Sequence, residues 1–190
     1  MRQPDTNTLL PKLQTARLVL RLLRLSDIKD MLAYATDPEI SLLGMWDPLR
    51  DHQDAHDDIS QSINAAKQGK VYPWAIEHRR EGRMIGRIDL YGIDRQAARA
   101  EFGYALNRDY WGHGFATEAA RRVIKFAFED LKFNRLSAEC LPFNTGSIQV
   151  LKKCGLRQEG VRREYVYING HYSDLLMYSI LRAEWEAHNK

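Results

Sequence analysis

The chain is predicted to form an α+β domain with a mixed sheet. Segments that read as strands outnumber segments with helical spacing, and the helical segments lie between the strands. Several neighbouring strands are joined by short connections that contain glycine, which indicates β-hairpins. Hairpins combined with helical connections are typical of α+β or mixed-sheet proteins.

The chain begins with residues 1–14, which we expect to form a loose tail, and a single domain is expected over residues 15–185. A strand is predicted from Arg17 onward, because apolar side chains alternate there. Ser26 is the expected N-cap of the first helix. Asp37-Pro38 is expected to end that helix, since the residue before a proline avoids the helical region.

Residues 40–50 are predicted to be an irregular apolar connection. A segment this apolar can be a lid over a site or part of an interface, but simple packing is the favoured interpretation. A helix is expected from about Asp51 to Gln68, ended by Gly69.

The second half of the chain alternates strands and helices. Its helices are expected behind the glycine loop at residue 116 and from the N-cap Asn144 to Lys153, ended by Gly155. Its strands are expected at 72–78, 84–91, 100–106, 135–141, 165–168 and 172–181, and Asn169-Gly170 is expected to form the turn between the last two.

Composition narrows the classes of function. The 28 Lys and Arg residues exceed the 25 Asp and Glu residues by only three, with signs mixed along the chain, so nucleic acid and membrane surfaces are not expected partners. No apolar run has the length of a membrane span, and residues 1–12 lack the apolar core of a signal peptide. We therefore expect a cytoplasmic protein.

Two features that often accompany metal or redox chemistry have ordinary interpretations here. His52 and His56 are four residues apart, but Gln53 stands where a zinc protease carries glutamate, so a solvated polar face is expected and no metal. Cys140 and Cys154 are too few for a disulfide framework, and we expect two small buried thiols.

The stretch from Asp109 to Glu118 is the strongest functional signal. Gly112 and Gly114 allow the backbone to pass close to a ligand, and an amphipathic helix follows directly. Unpaired N–H groups at the positive end of a helix dipole suit a phosphate or pyrophosphate. Because the loop has neither the Lys-Ser/Thr of a P-loop nor a third glycine, it matches neither common nucleotide motif.

Four pieces of the sequence, in this order, resemble the GNAT family of N-acetyltransferases, and more narrowly its Rim-type branch, which acetylates protein N-termini. The resemblance extends from near residue 15 to near residue 179. Its pieces are Thr15-Ala-Arg-Leu-Val-Leu-Arg, Glu101-Phe-Gly-Tyr, Tyr110-Trp-Gly-His-Gly-Phe-Ala-Thr-Glu-Ala and Asn144-Thr-Gly-Ser-Ile-Gln-Val-Leu-Lys-Lys-Cys-Gly-Leu.

The resemblance implies a mostly antiparallel sheet with helices on both faces, a splayed central strand pair and acetyl-CoA as the acetyl donor. The pantetheine arm would bond to the strand that contains Tyr104 and ends at Leu106, and Asn144 would touch the cofactor as well as cap its helix. The family's loop carries Gln or Arg where Trp111 stands here, but its backbone donors remain. The loop residues implied in cofactor binding are Trp111, Gly112, His113, Gly114, Phe115, Ala116 and Thr117.

Acetyl transfer to an amine requires a base and a stabilised leaving thiolate. The resemblance points to Glu101 as the base, directly or through water, although a carboxylate on a sheet surface is the ordinary alternative. Many relatives carry a tyrosine where this chain has Leu151. Ser147, one helical turn earlier, is the expected replacement, with a capping hydroxyl as the alternative.

The expected function is therefore acetyl transfer to a primary amine, such as the N-terminal amine of a ribosomal protein. Two alternatives remain open: an enzyme that acetylates a small amine (an antibiotic, a polyamine or an amino acid) and a non-catalytic acyl-CoA-binding protein. The last hairpin is a candidate acceptor pocket or a homodimer surface. Its residues of interest are Glu164, Tyr165, Tyr167, Tyr172 and Asp174.

Overall fold

The computed structural model describes residues 10–168 and 170–188. Over this part of the chain, one sheet of eight strands is accompanied by six α-helices, which confirms the α+β class. The strands are β1 (Leu13–Gln14), β2 (Leu18–Leu22), β3 (Tyr72–His78), β4 (Arg83–Asp94), β5 (Arg99–Leu106), β6 (Arg135–Cys140), β7 (Arg157–Ile168) and β8 (His171–Leu181). The helices are α1 (Ile28–Ala35), α2 (Pro38–Gly44), α3 (His52–Lys67), α4 (Phe115–Glu129), α5 (Thr145–Lys153) and α6 (Arg182–His188).

The sheet opens in its centre. The strand order is β1-β2-β3-β4-β5-β6-β8-β7, and only β5 and β6 are parallel. Their pairing covers three residue pairs, from Arg99 opposite Arg135 to Glu101 opposite Ser137. Beyond these pairs β5 and β6 continue but no longer pair with each other, and we call the opening between them the gap. The splayed central pair implied by the resemblance is confirmed.

Helices cover both faces of the sheet, because the strands alternate between two apolar clusters. On β3, Trp74 and Ile76 pack in the cluster that contains Val123 of α4. Ala75, between them, packs with Ile59 of α3 on the opposite face. Each fully buried large side chain of this kind contributes about 1.5–3 kcal/mol relative to an exposed one. Two buried faces therefore fix the sheet between α4 on one side and α1 and α3 on the other.

The predicted loose tail is wrong for residues 10–14. Leu10 and Leu13 are buried in the core cluster beside α4, and β1 pairs with β2. The indole N–H of Trp74 donates to the carbonyl of Pro11 at 2.9 Å. This short segment is thus ordered in part by a contact with a residue more than sixty positions away. Residues 1–9 of the expected tail lie outside the described part of the chain.

The first helix and the connection after it also differ from expectation. Ser26 is not an N-cap: it lies in a short 3₁₀ turn, and α1 begins at Ile28. Asp37 caps a new helix, α2, and its Oδ1 accepts from the N–H of Glu39 at 2.8 Å. Proline at the first position of a helix is favourable, because its missing N–H would have no partner there. Residues 40–44 are therefore helical rather than irregular.

The later helices follow the sequence closely, whereas the last strand pair is longer than expected. α3 and α5 lie within their predicted limits, and Gly69 and Gly155 follow them with positive φ. β7 begins at Arg157 instead of residue 165, and α6 extends the ordered chain past residue 185. Asn169 of the expected turn lies outside the described residues. None of the helices in the described ranges is long and apolar enough to cross a membrane.

Candidate active site

A cavity of about 1010 Å³ lies at the gap. Its walls come from Phe102–Leu106 of β5, Ala138–Cys140 of β6, the glycine loop, the start of α5 and the segment from α1 to Leu49. This volume is at the upper end of the range of ligand pockets, so there is room for a large cofactor arm and a second molecule. The gap is the point where the sheet backbone itself becomes accessible to a ligand.

The glycine loop presents a series of free N–H groups. Gly112 and Gly114 have φ of 75° and 80°, a left-handed conformation that glycine adopts without strain. Within the described part of the chain, the N–H groups of residues 112–117 have no hydrogen-bond acceptor. Since α4 begins at Phe115, three of them belong to its first turn, at the positive end of the dipole. The loop therefore has the geometry of an anion site.

The loop is held from behind by the start of the domain. Arg17 donates from Nη1 to the carbonyl of His113 at 3.0 Å, and its guanidinium lies 4.3 Å from the centre of the Phe115 ring. Glu118, in the first turn of α4, accepts from Arg17 Nε at 2.7 Å and from the Thr15 hydroxyl at 2.6 Å. The conformation of the loop is therefore fixed by tertiary contacts as well as by its glycines.

Backbone groups of β5 face the gap at Tyr104 and Leu106, the two residues that the resemblance implies in cofactor binding. The N–H of Asn107 donates to Ile85 on β4, so alternation along the antiparallel pair turns the backbone groups of Tyr104 and Leu106 away from β4. The Leu106 carbonyl already accepts from the indole Nε1 of Trp111 at 2.9 Å. Trp111, which replaces a polar residue of the family pattern, is thus a hydrogen-bond donor within the site.

The start of α5 meets both sides of the cavity. Asn144 caps the helix as predicted, because its Oδ1 accepts from the N–H of Ser147 at 2.9 Å. Its Nδ2 donates to the carbonyl of Leu43 on α2 at 3.3 Å. Ser147 Oγ accepts from the Tyr104 hydroxyl at 3.1 Å. Leu151, where many relatives carry tyrosine, is 1% exposed and contributes to the core.

Glu101, the sequence candidate for the base, lies outside the cavity lining, next to Gly92 of β4. Its carboxyl carbon would lie 3.5 Å from a Cβ added to Gly92, and it is not among the described residues that line the cavity. The carboxylates that do line it are Glu39, Asp58, Asp89 and Glu139. The catalytic role of Glu101 stays a prediction.

Glu139 is the carboxylate that the sequence reasoning missed. Burial raises the pKa of its carboxyl group, Arg162 opposes this from 2.7 Å, and the charge of Glu101 adds to the increase. Alternation on β6 was an available signal: Ser137 pairs with Glu101, and Glu139 is two residues further along the same face. What the sequence did not provide was the pairing of β5 with β6.

The segment after α1 forms an apolar wall of the cavity. Trp46 lies directly on Gly44, where an added Cβ would come within 1.5 Å of the ring. With the Trp46 ring in this position, only glycine fits at residue 44. The segment packs on the domain and borders the site as well. We call its apolar members the acceptor wall: Ile40, Leu42, Leu43, Met45, Trp46 and Leu49.

The last hairpin does not reach the cavity. Its aromatic side chains are exposed, with Tyr165, Tyr167 and Tyr172 at 57%, 65% and 67%. Asp174 accepts from the N–H of Glu164 at 2.8 Å within the hairpin. The described residues that line the cavity include none of these five.

Cys140 and Cys154 are free and buried, as expected. Burial raises the pKa of both thiols to about 11, so neither is a reactive thiolate near neutral pH. In the part of the chain that the structure describes, no group of three or more His, Cys, Asp or Glu residues could hold a metal ion.

A sheet whose central parallel pair splays beside the start of α4 is the arrangement that the resemblance to N-acetyltransferases implies, and the comparisons with known proteins support this class. A family model for the acetyltransferase (GNAT) domain matches residues 17–157. The chain is 34% identical to the uncharacterized N-acetyltransferase p20 of Bacillus licheniformis, over 91% of this chain and 97% of that one. It belongs to the GNAT family and is an N-acetyltransferase.

Two further similarities concern proteins with a named acceptor. The ribosomal protein uS5-alanine N-acetyltransferase of Escherichia coli is 26% identical over 92% of each chain. The spermidine N-acetyltransferase of Vibrio cholerae, solved with CoA and spermine, has a TM-score of 0.80 and 21% identity, covering 90% of this chain and 99% of its own. The first similarity confirms the resemblance to the Rim-type branch, and the second is a likeness of fold.

Proposed function

We propose that this N-acetyltransferase uses acetyl-CoA to acetylate the N-terminal amine of a protein, by direct attack of the amine on the thioester. The observation that carries the proposal is the gap, which opens into one cavity beside the six free N–H groups of residues 112–117. The acetyl donor would supply a thioester, whose carbonyl carbon is the site of attack.

The pyrophosphate would bind the N–H groups from Gly112 to Thr117, where charge and hydrogen bonds both favour an anion. The pantetheine arm would lie in the gap and bond to the backbone groups that Tyr104 and Leu106 turn away from β4, with the Leu106 carbonyl shared with the Trp111 indole. Asn144 borders this region, so its side-chain amide is placed to contact either the arm or α2.

The acceptor is proposed to be a single amine with an apolar neighbouring group. The acceptor wall is apolar, and each carboxylate that lines the cavity already has an arginine partner. Arg87 pairs with Asp58 and Asp89 at 2.6 and 2.7 Å, and Arg108 pairs with Glu39 at 2.7 Å. Paired carboxylates attract a second or third ammonium group weakly, so a peptide N-terminus fits better than a polycation.

The proton of the amine would be taken by a carboxylate on the acceptor side of the sheet. Glu139 lines the cavity, and its raised pKa is closer to that of an amine than an ordinary glutamate's. We therefore assign it the role of base and keep Glu101, the candidate from the sequence, as the alternative. Ser147 would donate a hydrogen bond to the departing sulfur.

A small polyamine is the second candidate acceptor, and the four carboxylates around the cavity favour it. It differs from the first candidate in one respect that can be measured. A polyamine acceptor would bind through several charge pairs with these carboxylates, so its KM should rise strongly with ionic strength, whereas the KM of an apolar peptide N-terminus should be less affected.

The test is incubation of a cell extract with the protein and isotope-labelled acetyl-CoA, followed by mass spectrometry. Label on one or a few protein N-termini would support the proposal and identify the substrate. Label only in the small-molecule fraction would replace it with the second candidate. A matched reaction with the Gly112→Val variant controls for transfer that does not depend on the loop.

A further inference from the structure

Tyr104 extends from β5 to the start of α5. Its ring packs partly buried against the core cluster beside α4, and its hydroxyl donates to Ser147 Oγ at 3.1 Å. Burial raises the pKa of this phenol well above its ordinary range, so the group keeps its proton at neutral pH and remains a donor. The contact joins the two sides of the gap, since Tyr104 and Ser147 belong to elements on opposite sides of it.

This contact determines what Ser147 can do. A serine hydroxyl has one proton to donate and two lone pairs to accept with. If one lone pair is occupied by the Tyr104 O–H, the proton of Ser147 is directed elsewhere. The Ser147 hydroxyl also lowers the pKa of the Cys140 thiol, which borders the cavity from β6, against the larger effect of burial.

We propose that Tyr104 is a positioning residue, whose phenol occupies the oxygen of Ser147 and thereby directs the Ser147 proton into the gap, towards the sulfur of the departing CoA. This inference rests on the proposed use of acetyl-CoA. Many relatives carry a phenol at the position of Leu151; here a phenol reaches α5 from β5, one helical turn earlier, at Ser147.

The assigned step is a hydrogen bond and not a transfer of the serine proton. An alkoxide is a much stronger base than a thiolate, so Ser147 keeps its proton while the C–S bond breaks and the electron pair moves to sulfur. The thiolate is stabilised by the hydrogen bond and takes its proton from water after release. The proton lost by the amine goes to the carboxylate base, so charge and protons balance.

The experiment measures the acidity of bound CoA and needs no acceptor. Ultraviolet absorbance of the thiolate is titrated in complexes of CoA with wild type, Tyr104→Phe, Ser147→Ala and the double variant. The complex with desulfo-CoA serves as the blank, so that Cys140 and Cys154 cancel. Calorimetry gives the affinity for CoA in each case, and thermal melting checks the fold.

In the wild-type complex, the acid dissociation constant of the CoA thiol should be at least about tenfold larger than in free CoA, the effect of one hydrogen bond to a charged group. Tyr104→Phe should remove most of this increase and Ser147→Ala all of it, with little change in CoA affinity. The double variant should match Ser147→Ala, because Tyr104 acts only through Ser147. Tyr178→Phe is the control. It removes a phenol that donates to Gln158 at 3.2 Å and does not line the cavity, so the acidity of the CoA thiol should stay unchanged.

The outcomes separate the two proposals. Failure of CoA to bind would overturn both the proposed function and this inference. Binding with equal thiol acidity in wild type and Ser147→Ala would remove Ser147 from the mechanism, and the inference with it. If Ser147→Ala lowers the acidity of the CoA thiol and Tyr104→Phe does not, the role of Tyr104 alone is overturned. The same holds if the two decreases in acidity add in the double variant.

Discussion

Arg17 and Glu118 are 101 residues apart in the sequence and are joined by two hydrogen bonds. The Arg17 side chain donates from Nε to Oε2 at 2.7 Å, and its backbone N–H donates to Oε1 at 2.9 Å. Burial alone would raise the pKa of Glu118, but the bonds from Thr15 and Arg17 lower it. Because Arg17 also donates to the carbonyl of His113, this pair connects the segment between β1 and β2 to the proposed pyrophosphate loop.

Glu118→Gln should weaken acetyl-CoA binding about fivefold, since one charge-assisted contact behind the loop is lost and the N–H groups are less well ordered. Calorimetry measures the effect. Glu129→Gln is the control on the same helix, because its partner Lys125 is 3.8 Å away and both side chains are exposed. Equal affinities in wild type and Glu118→Gln would show that the loop does not depend on this pair.

The same variant has a predicted pH signature in stability. A carboxyl whose pKa is lowered on folding stabilises the protein above its ordinary pKa, here 4.5, and this contribution is lost as the pH falls through the lower folded value. The difference in unfolding free energy between wild type and Glu118→Gln should therefore be constant above about pH 5 and shrink in acid. Urea unfolding at several pH values measures it, and a difference that grows in acid would contradict the prediction.

Gly112→Val should abolish measurable acetyl-CoA binding. The residue has φ of 75° and lines the cavity, so a valine both strains the backbone and fills the space that the pyrophosphate needs. Gly82→Val is a close match, since Gly82 has φ of 64° in the β3–β4 turn and is equally uncrowded. Both variants should lose about 1–2 kcal/mol of stability. If both bind acetyl-CoA like wild type, the loop is not the anion site.

Local signals in the sequence predicted the parts of the site that local chemistry determines. Asn144 and Gly155 mark the two ends of α5, and the loop with Gly112 and Gly114 precedes α4. Each depends on hydrogen bonds or backbone angles within a few residues. The helix caps and the glycine turns could therefore be predicted without knowing which strands or helices pack beside them.

Other features depend on contacts that sequence periodicity does not encode. Glu139 enters the cavity only because β6 pairs with β5 in one register and then separates from it. Leu13 is ordered by pairing with Leu20, and α2 begins at the proline that was expected only to end α1. Alternation predicts which residues share a face of a strand, but not which strand lies beside it.

Asn144→Asp should separate the two hydrogen bonds of this side chain. Aspartate is as good an N-cap as asparagine, so the bond from the Ser147 N–H is kept, whereas the donor to the Leu43 carbonyl is lost. For Asn144→Asp we expect a melting temperature within about two degrees of wild type. Amide exchange in α2, measured by hydrogen–deuterium exchange, should be faster than in wild type. Asn144→Ala, which loses both bonds, should cost about 1 kcal/mol in addition. Unchanged exchange in Asn144→Asp would mean that the Leu43 contact does not hold α2.

The pH dependence of turnover distinguishes the two candidate bases. With Glu139 as base, kcat at saturating peptide should rise with pH along an acid limb whose midpoint lies above the ordinary glutamate value of 4.5, because only the ionised form accepts the proton. Glu139→Gln should lose that limb and about a hundredfold in turnover. Glu101→Gln should keep the limb but shift it to lower pH, since the negative charge of Glu101 contributes to the raised pKa of Glu139. The reverse pattern, with the limb lost only in Glu101→Gln, would assign the base to Glu101 and leave Glu139 as the partner of Arg162.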